Sequence, residues 1–361
     1  MRALAIWWRG LIEGSSDPLT RWTLGPLCTV LSRPYDWGSR FRLHAYTRGW
    51  TMVKQLPCRV ISVGNLTLGG TGKTPLVEAI ATLLLRHGHR VGVLSRGYGK
   101  QGAERLVVVS DGRRCLASAD VAGDEPMLLA EHLPEVPVVV GRDRYTAGKL
   151  AVQRFGLDTV ILDDGFQHVQ LARDLNILVL DATRPFGSGH LFPRGDLRER
   201  PAAIARADAI VLTRWTSDLA LPVPLLPQPA PPLFRSQHDP LAVRALANGQ
   251  MLPLACLTGQ RLLAFCGTGT PESFRHLLVD LGVNVVAFST FPDHHAYTWS
   301  EMEALARMAK VHGARALITT EKDAIRLRRL QPLPYEVWEL QIRATIVDPQ
   351  AGWESCILGA A

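Results

Sequence analysis

From Arg59 onward the chain alternates short apolar runs with amphipathic stretches. Residues 60–63, 91–94, 106–109, 136–140, 159–162, 177–180 and 209–212 are rich in Val, Ile and Leu. Each is too short for a buried helix, and each reads as a strand covered on both faces. Helical periodicity fills several intervals, over about 73–86 with Gly88 as the stop, over 127–132 and over 145–155. This alternation predicts an α/β fold with a mostly parallel sheet flanked by helices. Pro222, Pro224, Pro227, Pro229, Pro231 and Pro232 then crowd one segment that can be neither helix nor central strand, so a stiff linker is expected there. A second α/β unit follows, with strands at 262–265, 283–288 and 316–318. Its helices are expected to open at Pro271, at a Ser300-x-x-Glu303 capping box and at Asp323.

The region before Arg59 has a different character. Trp7, Trp8, Trp22 and Trp37 lie among Ile6, Leu11, Leu24, Leu27, Val30 and Leu31, and Arg2, Arg9, Arg21 and Arg33 interrupt them. An indole ring pairs an apolar body with a polar N–H, which suits the headgroup level of a bilayer. A helix docked on the protein's own core is the alternative. Much of the chain's net charge of +7 sits here. Residues 1–60 carry nine Lys and Arg against Glu13, Asp17 and Asp36, a balance suited to an anionic partner. Charges within 1–11 argue against a secretory signal, and the chain holds no apolar run long enough to span a membrane. The six cysteines are scattered without zinc spacing. A hydrophobic content of 47% over 361 residues leaves ample material for two packed units.

Candidate chemistry begins at Gly69-Gly70-Thr71-Gly72-Lys73-Thr74, between a strand and a helix. Glycines let successive backbone N–H groups close around phosphate oxygens, and the helix N-terminus adds its dipole. Lys73 is placed to reach the β- and γ-phosphates, and the Thr74 hydroxyl to ligate Mg²⁺. Thr67 stands where the strict P-loop pattern has its first glycine. The strand at 159–162 runs into Asp163-Asp164-Gly165-Phe166-Gln167-His168, and a carboxylate at that end of a neighbouring strand is where a P-loop enzyme holds its metal. Gly123-Asp124-Glu125-Pro126 opens a helix, so Asp124 is either a helix cap or a functional carboxylate. Asp293-His294-His295 is either a surface loop or a proton-handling group. Gly267-x-Gly269-x-x-Glu272 lacks the third glycine of a dinucleotide fingerprint and reads as a tight turn. Thr320-Glu321-Lys322-Asp323 is only a faint match to a nucleobase-reading motif.

Together these segments resemble the tetraacyldisaccharide 4′-kinase family of the lipid A pathway. The match runs in order through Val63-Gly64-Asn65-Leu66-Thr67, the P-loop, Ser95-Arg96-Gly97-Tyr98-Gly99 and Gly123–Pro126. It continues through Asp163–His168, Pro193-x-Gly195-x-Leu197-Arg198-Glu199, Phe291–His295 and Thr320–Asp323. Thr67 belongs to that family's Gly-Asn-Leu-Thr run. The resemblance implies ATP-dependent phosphoryl transfer to the 4′-hydroxyl of a tetraacylated disaccharide 1-phosphate. It implies Asp124 as general base paired with His294, Lys73 on the migrating phosphate, and Thr74, Glu125 and Asp163 around Mg²⁺. Arg96, Tyr98, Arg144, Asp164, Gln167, His168, Arg198 and Glu199 become candidates for the sugar-phosphate headgroup. Two P-loop/Rossmann-like α/β/α domains are implied, the first larger. The expected division is 1–56 as an amphipathic membrane-associating segment, 57–221 as the nucleotide domain, 222–260 as linker and connecting strands, and 261–361 as the smaller domain. The expected place is the cytoplasmic face of the bacterial inner membrane, in peripheral contact with anionic lipid, without nucleic acid or an obligate protein partner. The rivals are a P-loop GTPase, a metal-chaperone ATPase or a membrane-bound nucleotide switch. A GTPase calls for Asn-Lys-x-Asp, and this chain has Thr320-Glu321-Lys322-Asp323 in its place.

Overall fold

The computed structural model describes residues 18–97, 106–217, 219 and 229–359. The start of the chain with Trp7 and Trp8, the candidate Tyr98, and Pro222, Pro224 and Pro227 of the proline cluster lie outside the described residues. The first elements are helix α1 (Pro18–Thr47), strand β1 (Arg59–Asn65), α2 (Lys73–Arg86), β2 (Val91–Ser95), β3 (Leu106–Asp111), α3 (Ala119–Ala122) and α4 (Asp124–His132). Next come β4 (Pro137–Gly141), α5 (Arg144–Phe155), β5 (Thr159–Asp163), β6 (Leu175–Asp181), β7 (Ala209–Thr213), β8 (Leu233–Ala245) and β9 (Met251–Leu252). The chain ends with β10 (Arg261–Cys266), α6 (Pro271–Asp280), β11 (Asn284–Thr290), α7 (Trp299–Val311), β12 (Ala316–Thr320), α8 (Glu321–Leu327), β13 (Val337–Ile346) and α9 (Gln350–Leu358).

One sheet runs through all the described strands in the order β11-β10-β12-β13-β8-β7-β6-β1-β5-β2-β4-β3, with β9 beside β8. Strand β8 belongs to both halves. Its start pairs parallel with β7 and its remainder pairs antiparallel with β13. The strands from β2 to β7 are buried along nearly their whole length except β3. The edge strand β3 runs antiparallel to β4, a direction that apolar periodicity does not encode. Because β2, β5, β1, β6 and β7 are mutually parallel, their carboxyl ends open on one side, which is where an open α/β sheet places its ligands. The last helix, α9, returns to the first half. Trp353 and Ile357 join the core built around β1 and α2.

Two helix starts differ from expectation. The capping box of α7 is Thr298 with Glu301, not Ser300 with Glu303. Both pairs satisfy the pattern, but Glu303 instead accepts from Trp299 Nε1 at 3.1 Å, within the first turn. Helix α8 begins at Glu321, two residues before the expected Asp323, with Thr320 as its cap.

Helices α4 and α8 meet across the two halves through a row of ion pairs. Lys322 donates to Glu125 at 2.5 Å, Arg326 to Asp124 at 2.7 Å, and Arg328 to Glu131 at 2.7 Å. His132 closes the row, with Nδ1 3.1 Å from Glu78 of α2 and Nε2 2.9 Å from Glu321 of α8. Burial works to lower the pKa of His132, but these two carboxylates outweigh it and push the value up to about 10. The charged ring therefore stabilises the fold fully below about pH 6.5, and that contribution is lost as pH rises toward 10. His132→Gln is expected to melt several degrees below the parent at pH 7, with the gap closing as pH approaches 10. Thermal melts of both proteins across pH 6–10 check this, and a constant gap would refute it.

Candidate active site

The P-loop leaves the carboxyl end of β1 and enters α2. Gly69 (φ 105°) and Gly72 (φ 80°) take left-handed conformations that disfavour a side chain. A Cβ on Gly72 would stand 2.5 Å from His238 Nε2. Thr67 needs no such freedom. It is buried, its carbonyl accepts from Asn65 Nδ2 at 2.9 Å, and it bridges to Leu197. Lys73 is buried, with Nζ donating to Asn65 Oδ1 at 3.1 Å and lying 3.4 Å from Asp164.

β5 lies beside β1, so Asp163 and Asp164 reach the same mouth. The turn after them fits tightly against β1. A Cβ on Gly64 would come within 2.5 Å of Phe166 N, and one on Gly165 within 2.6 Å of Ser62 Oγ. Asp164 (φ 55°) lies between Lys73 and Arg198, whose Nη1 stands 2.8 Å away. Burial opposes its charge, but these two cations outweigh it and hold its pKa well below the usual carboxylate range. Asp163 moves the other way. Burial, and then the charges of Glu125 and Asp164, push its pKa up. Its Oδ2 accepts from Ser95 Oγ at 3.1 Å, while Oδ1 is buried without a hydrogen-bond partner. Glu125, held low chiefly by Lys322, acts on it through space.

A buried carboxylate oxygen that lacks a donor, near a second carboxylate, fits a hard cation. Thr74, at the first turn of α2, is buried and adds a hydroxyl. Among the described residues no cluster of three or more His, Cys, Asp or Glu is set to hold a metal. Asp163, Glu125 and Thr74 offer hard oxygen donors, a set that suits an ion which also keeps waters and substrate oxygens, as Mg²⁺ does.

Asp124 is not a helix cap. Gly123 occupies the cap position of α4, and no side chain caps it. Instead Asp124 Oδ2 lies 3.3 Å from His294 Nδ1 and accepts from Arg326 Nε at 2.7 Å. His294 sits on the loop after β11 with φ 57°. Burial would raise the Asp124 pKa, but His294 and Arg326 outweigh it and bring the value down. The hydrogen bond to Asp124 in turn raises His294. Arg326 was invisible to motif reasoning. Its Nη2 also comes within 3.3 Å of His294 Nδ1, and its Nη1 donates to Asp323 at 3.0 Å. Asp323 is wholly buried and also accepts from Gly267 N, Tyr297 and Thr320. It is consumed in holding its own loop together, which leaves no carboxylate oxygen for a nucleobase. The neighbouring His295 pairs with Glu301 at 3.0 Å, away from Asp124.

Of the described headgroup candidates, Arg198 and Gln167 touch α1, their carbonyls accepting from Tyr35 and Arg42. Arg198 reaches Gln167 Oε1 at 3.4 Å, and Gln167 donates to the Asn65 carbonyl at 2.9 Å. Arg144 is almost fully buried, and burial lowers its pKa to about 10 against the pull of Asp164 and Asp163. Burial, followed by Arg144, Arg42 and Arg173, brings His168 down to about 4, so its ring is neutral near pH 7. Arg96 is exposed at the end of β2. Glu199 is paired with Arg206 at 2.7 Å. Arg42 of α1 donates to the Gln167 carbonyl at 3.4 Å, so the first helix borders the same mouth.

A family model described as "LpxK: Tetraacyldisaccharide-1-P 4'-kinase" matches residues 24–359. The tetraacyldisaccharide 4′-kinase of Syntrophus aciditrophicus is 43% identical over 344 residues, covering 92% of each chain. That of Geobacter metallireducens is 44% identical over 324 residues, covering 90% of this chain and 95% of its own. The crystal structure of LpxK from Aquifex aeolicus in complex with ATP superposes with a TM-score of 0.74 at 34% identity, over 93% of this chain and 99% of that one. This chain belongs to the tetraacyldisaccharide-1-P 4′-kinase family.

Proposed function

We propose that this protein transfers the γ-phosphate of ATP to the 4′-hydroxyl of a tetraacylated disaccharide 1-phosphate. The observation that carries the reading is the Asp124–His294 contact, beside Glu125, which interacts through space with Lys73 and Asp163; it supports Asp124 as the carboxylate base. Lys73 and the P-loop amides would hold the γ-phosphate, where equatorial oxygens carry the transition-state charge. Mg²⁺, held by Thr74, Glu125 and Asp163, would supply neutralising charge on the phosphate oxygens. Asp124 Oδ2 is occupied by His294 and Arg326, so Oδ1 is the oxygen left to take the hydroxyl proton. The sugar oxygen then bonds to the γ-phosphorus, the bond to the β–γ bridging oxygen breaks, and ADP departs. Arg198, Gln167, His168, Arg144 and Arg96 are the groups we assign to an acceptor that already bears phosphate. The test is purified protein with Mg-ATP labelled in the γ-phosphate and the acylated disaccharide 1-phosphate. Label in the lipid supports the reading, and ATP consumption without it refutes the acceptor.

Peripheral contact with an anionic membrane is the second part of the proposal. Helix α1 buries the stripe Cys28, Ser32 and Asp36 and exposes Leu27, Val30, Leu31, Trp37 and Phe41. Polar contacts hold it, beside one ring contact between Tyr35 and Phe192. Ser32 donates to the Leu191 carbonyl at 3.0 Å and Asp36 takes a two-pronged contact from Arg200 at 2.8 and 2.6 Å. Trp37, Phe41 and Trp50 form a chain of ring contacts, and Met52 beyond them is 85% exposed. A helix docked on its own core would show the reverse pattern. Arg33, Arg40, Arg42 and Arg48 are exposed on the same helix and the turn after it, which suits anionic headgroups. No described helix is long and apolar enough to cross a membrane. Replacing Trp37 and Phe41 together by Glu is expected to weaken partition into phosphatidylglycerol vesicles by about tenfold or more, with the melting temperature little changed. Flotation equal to the parent would remove α1 as the contact surface.

A further inference from the structure

Two residues at the carboxyl end of β7 grip the outside of the P-loop. Thr213 is wholly buried, and its hydroxyl donates to the Thr71 carbonyl at 2.7 Å. The Leu180 carbonyl, at 3.3 Å, is the weaker alternative for the same proton. Arg214, the next residue, takes φ 53°, a conformation uncommon outside glycine. Its Nη2 donates to the Gly70 carbonyl at 2.7 Å and to Thr270 Oγ1 at 3.1 Å, and Nη1 is held by Asp181 at the end of β6. Two consecutive P-loop carbonyls are thereby drawn toward β7.

A trans peptide points its C=O and the following N–H in opposite directions. Drawing the Gly70 and Thr71 carbonyls outward turns the Thr71 and Gly72 amides to the opposite side, the arrangement an anion-binding nest requires. Among the described residues neither amide donates to a protein acceptor. Thr270 lies on the loop after β10, in the other half of the sheet. That loop approaches the P-loop so closely that a Cβ on Gly269 would stand 3.3 Å from Gly70 N. Arg214 thus joins three elements, the P-loop, the end of β6 and the loop after β10.

We propose that Thr213 and Arg214 are positioning residues of the nucleotide site. They fix the outer carbonyls of the P-loop so that its amides face the phosphates, and Arg214 makes that geometry depend on the loop that carries Thr270. The inference rests on the reading of this loop as a phosphate site.

The test uses the full chain, calorimetric binding of Mg-AMP-PNP, and separate KM values for ATP and for the lipid acceptor. Thr213→Val keeps the shape but removes the proton that the Thr71 carbonyl accepts. It is expected to weaken nucleotide binding about tenfold and raise KM for ATP alike, with KM for the lipid unchanged. Thr213→Ser keeps the hydroxyl and should stay within about twofold of the parent. Arg214→Lys keeps the charge beside Asp181 but loses the second nitrogen, Nη2, that donates to both Gly70 and Thr270, and should lose about tenfold. Thr270→Val tests the coupling from the second loop, with about a threefold loss expected. If Thr213→Val fails to fold, the Arg214→Lys and Thr270→Val results decide. A parent protein that does not bind Mg-AMP-PNP would overturn the phosphate reading and this proposal with it. A parent that binds, with variants that bind equally well, would overturn the positioning role alone. So would equal losses in the Val and Ser variants, or a parallel rise in both KM values.

Discussion

Lys73→Ala is expected to lower kcat by about 10²–10³-fold, in line with removal of a preorganised charge donor at a site of developing negative charge. The ammonium group is buried between Asn65 and Asp164, so it is held in place before any phosphate arrives. Its removal leaves Asp164 with Arg198 as its remaining close cation. The variant should therefore lose some stability but still fold, since the β1 and α2 core is apolar and untouched. Lys73→Arg should not rescue. A planar fork does not replace a point charge that must follow a migrating group. Single-turnover rates with saturating acceptor, read beside thermal melts, check this. A folded Lys73→Ala protein with parental rates would remove the P-loop from the chemistry.

The parts of the site that were legible in the sequence are those whose chemistry is local. A strand, a glycine-rich turn and a helix follow one another within about thirty residues at 59–86, and the phosphate-binding geometry is a property of that contiguous piece. Asp163 was legible as the residue that ends an apolar run. The α/β class followed from the alternation of short apolar runs with helical periodicity. What could not be read depends on sheet order. Arg326 meets Asp124 across 202 positions, and Lys322 meets Glu125 across 197. Neither Arg nor Lys on a short helix carries a pattern that names a distant partner. Thr213 and Arg214 follow an ordinary apolar strand, and only the placement of β7 two strands from β1 brings them to the P-loop. The α7 cap shows the same limit on a small scale. Two overlapping S/T-x-x-E patterns stand within six residues, and the backbone conformation of Thr298 decides between them. Asp124 was open between cap and base, and the contact with His294, 170 positions away, favours the second.

Asp124 and His294 are expected to behave as one unit in kinetics. Asp124→Asn and His294→Ala should each cost about 10²–10⁴-fold in kcat, the range of a general base. The double variant should be little worse than the worse single, because removing either member already disables the pair. The structure gives this expectation a specific shape. Asp124 Oδ2 accepts from both His294 Nδ1 and Arg326 Nε, and His294 adopts a left-handed backbone conformation on its loop. In Asp124→Asn the Arg326 guanidinium keeps Asp323 and the Gly267 carbonyl, so the seam between α4 and α8 should hold and melting should shift only modestly. His294→Ala leaves Asp124 paired with Arg326 alone and without the His294 contact that orients its carboxylate, and the loss should again appear in kcat rather than in KM for ATP. A purely structural role for Asp124, in its ion pair with Arg326, would cost stability and little rate. Single-turnover rates and melting temperatures of both singles and the double separate the outcomes. Losses that multiply in the double variant would mean two independent contributions. A large fall in stability with near-parental rate would return both residues to a structural role.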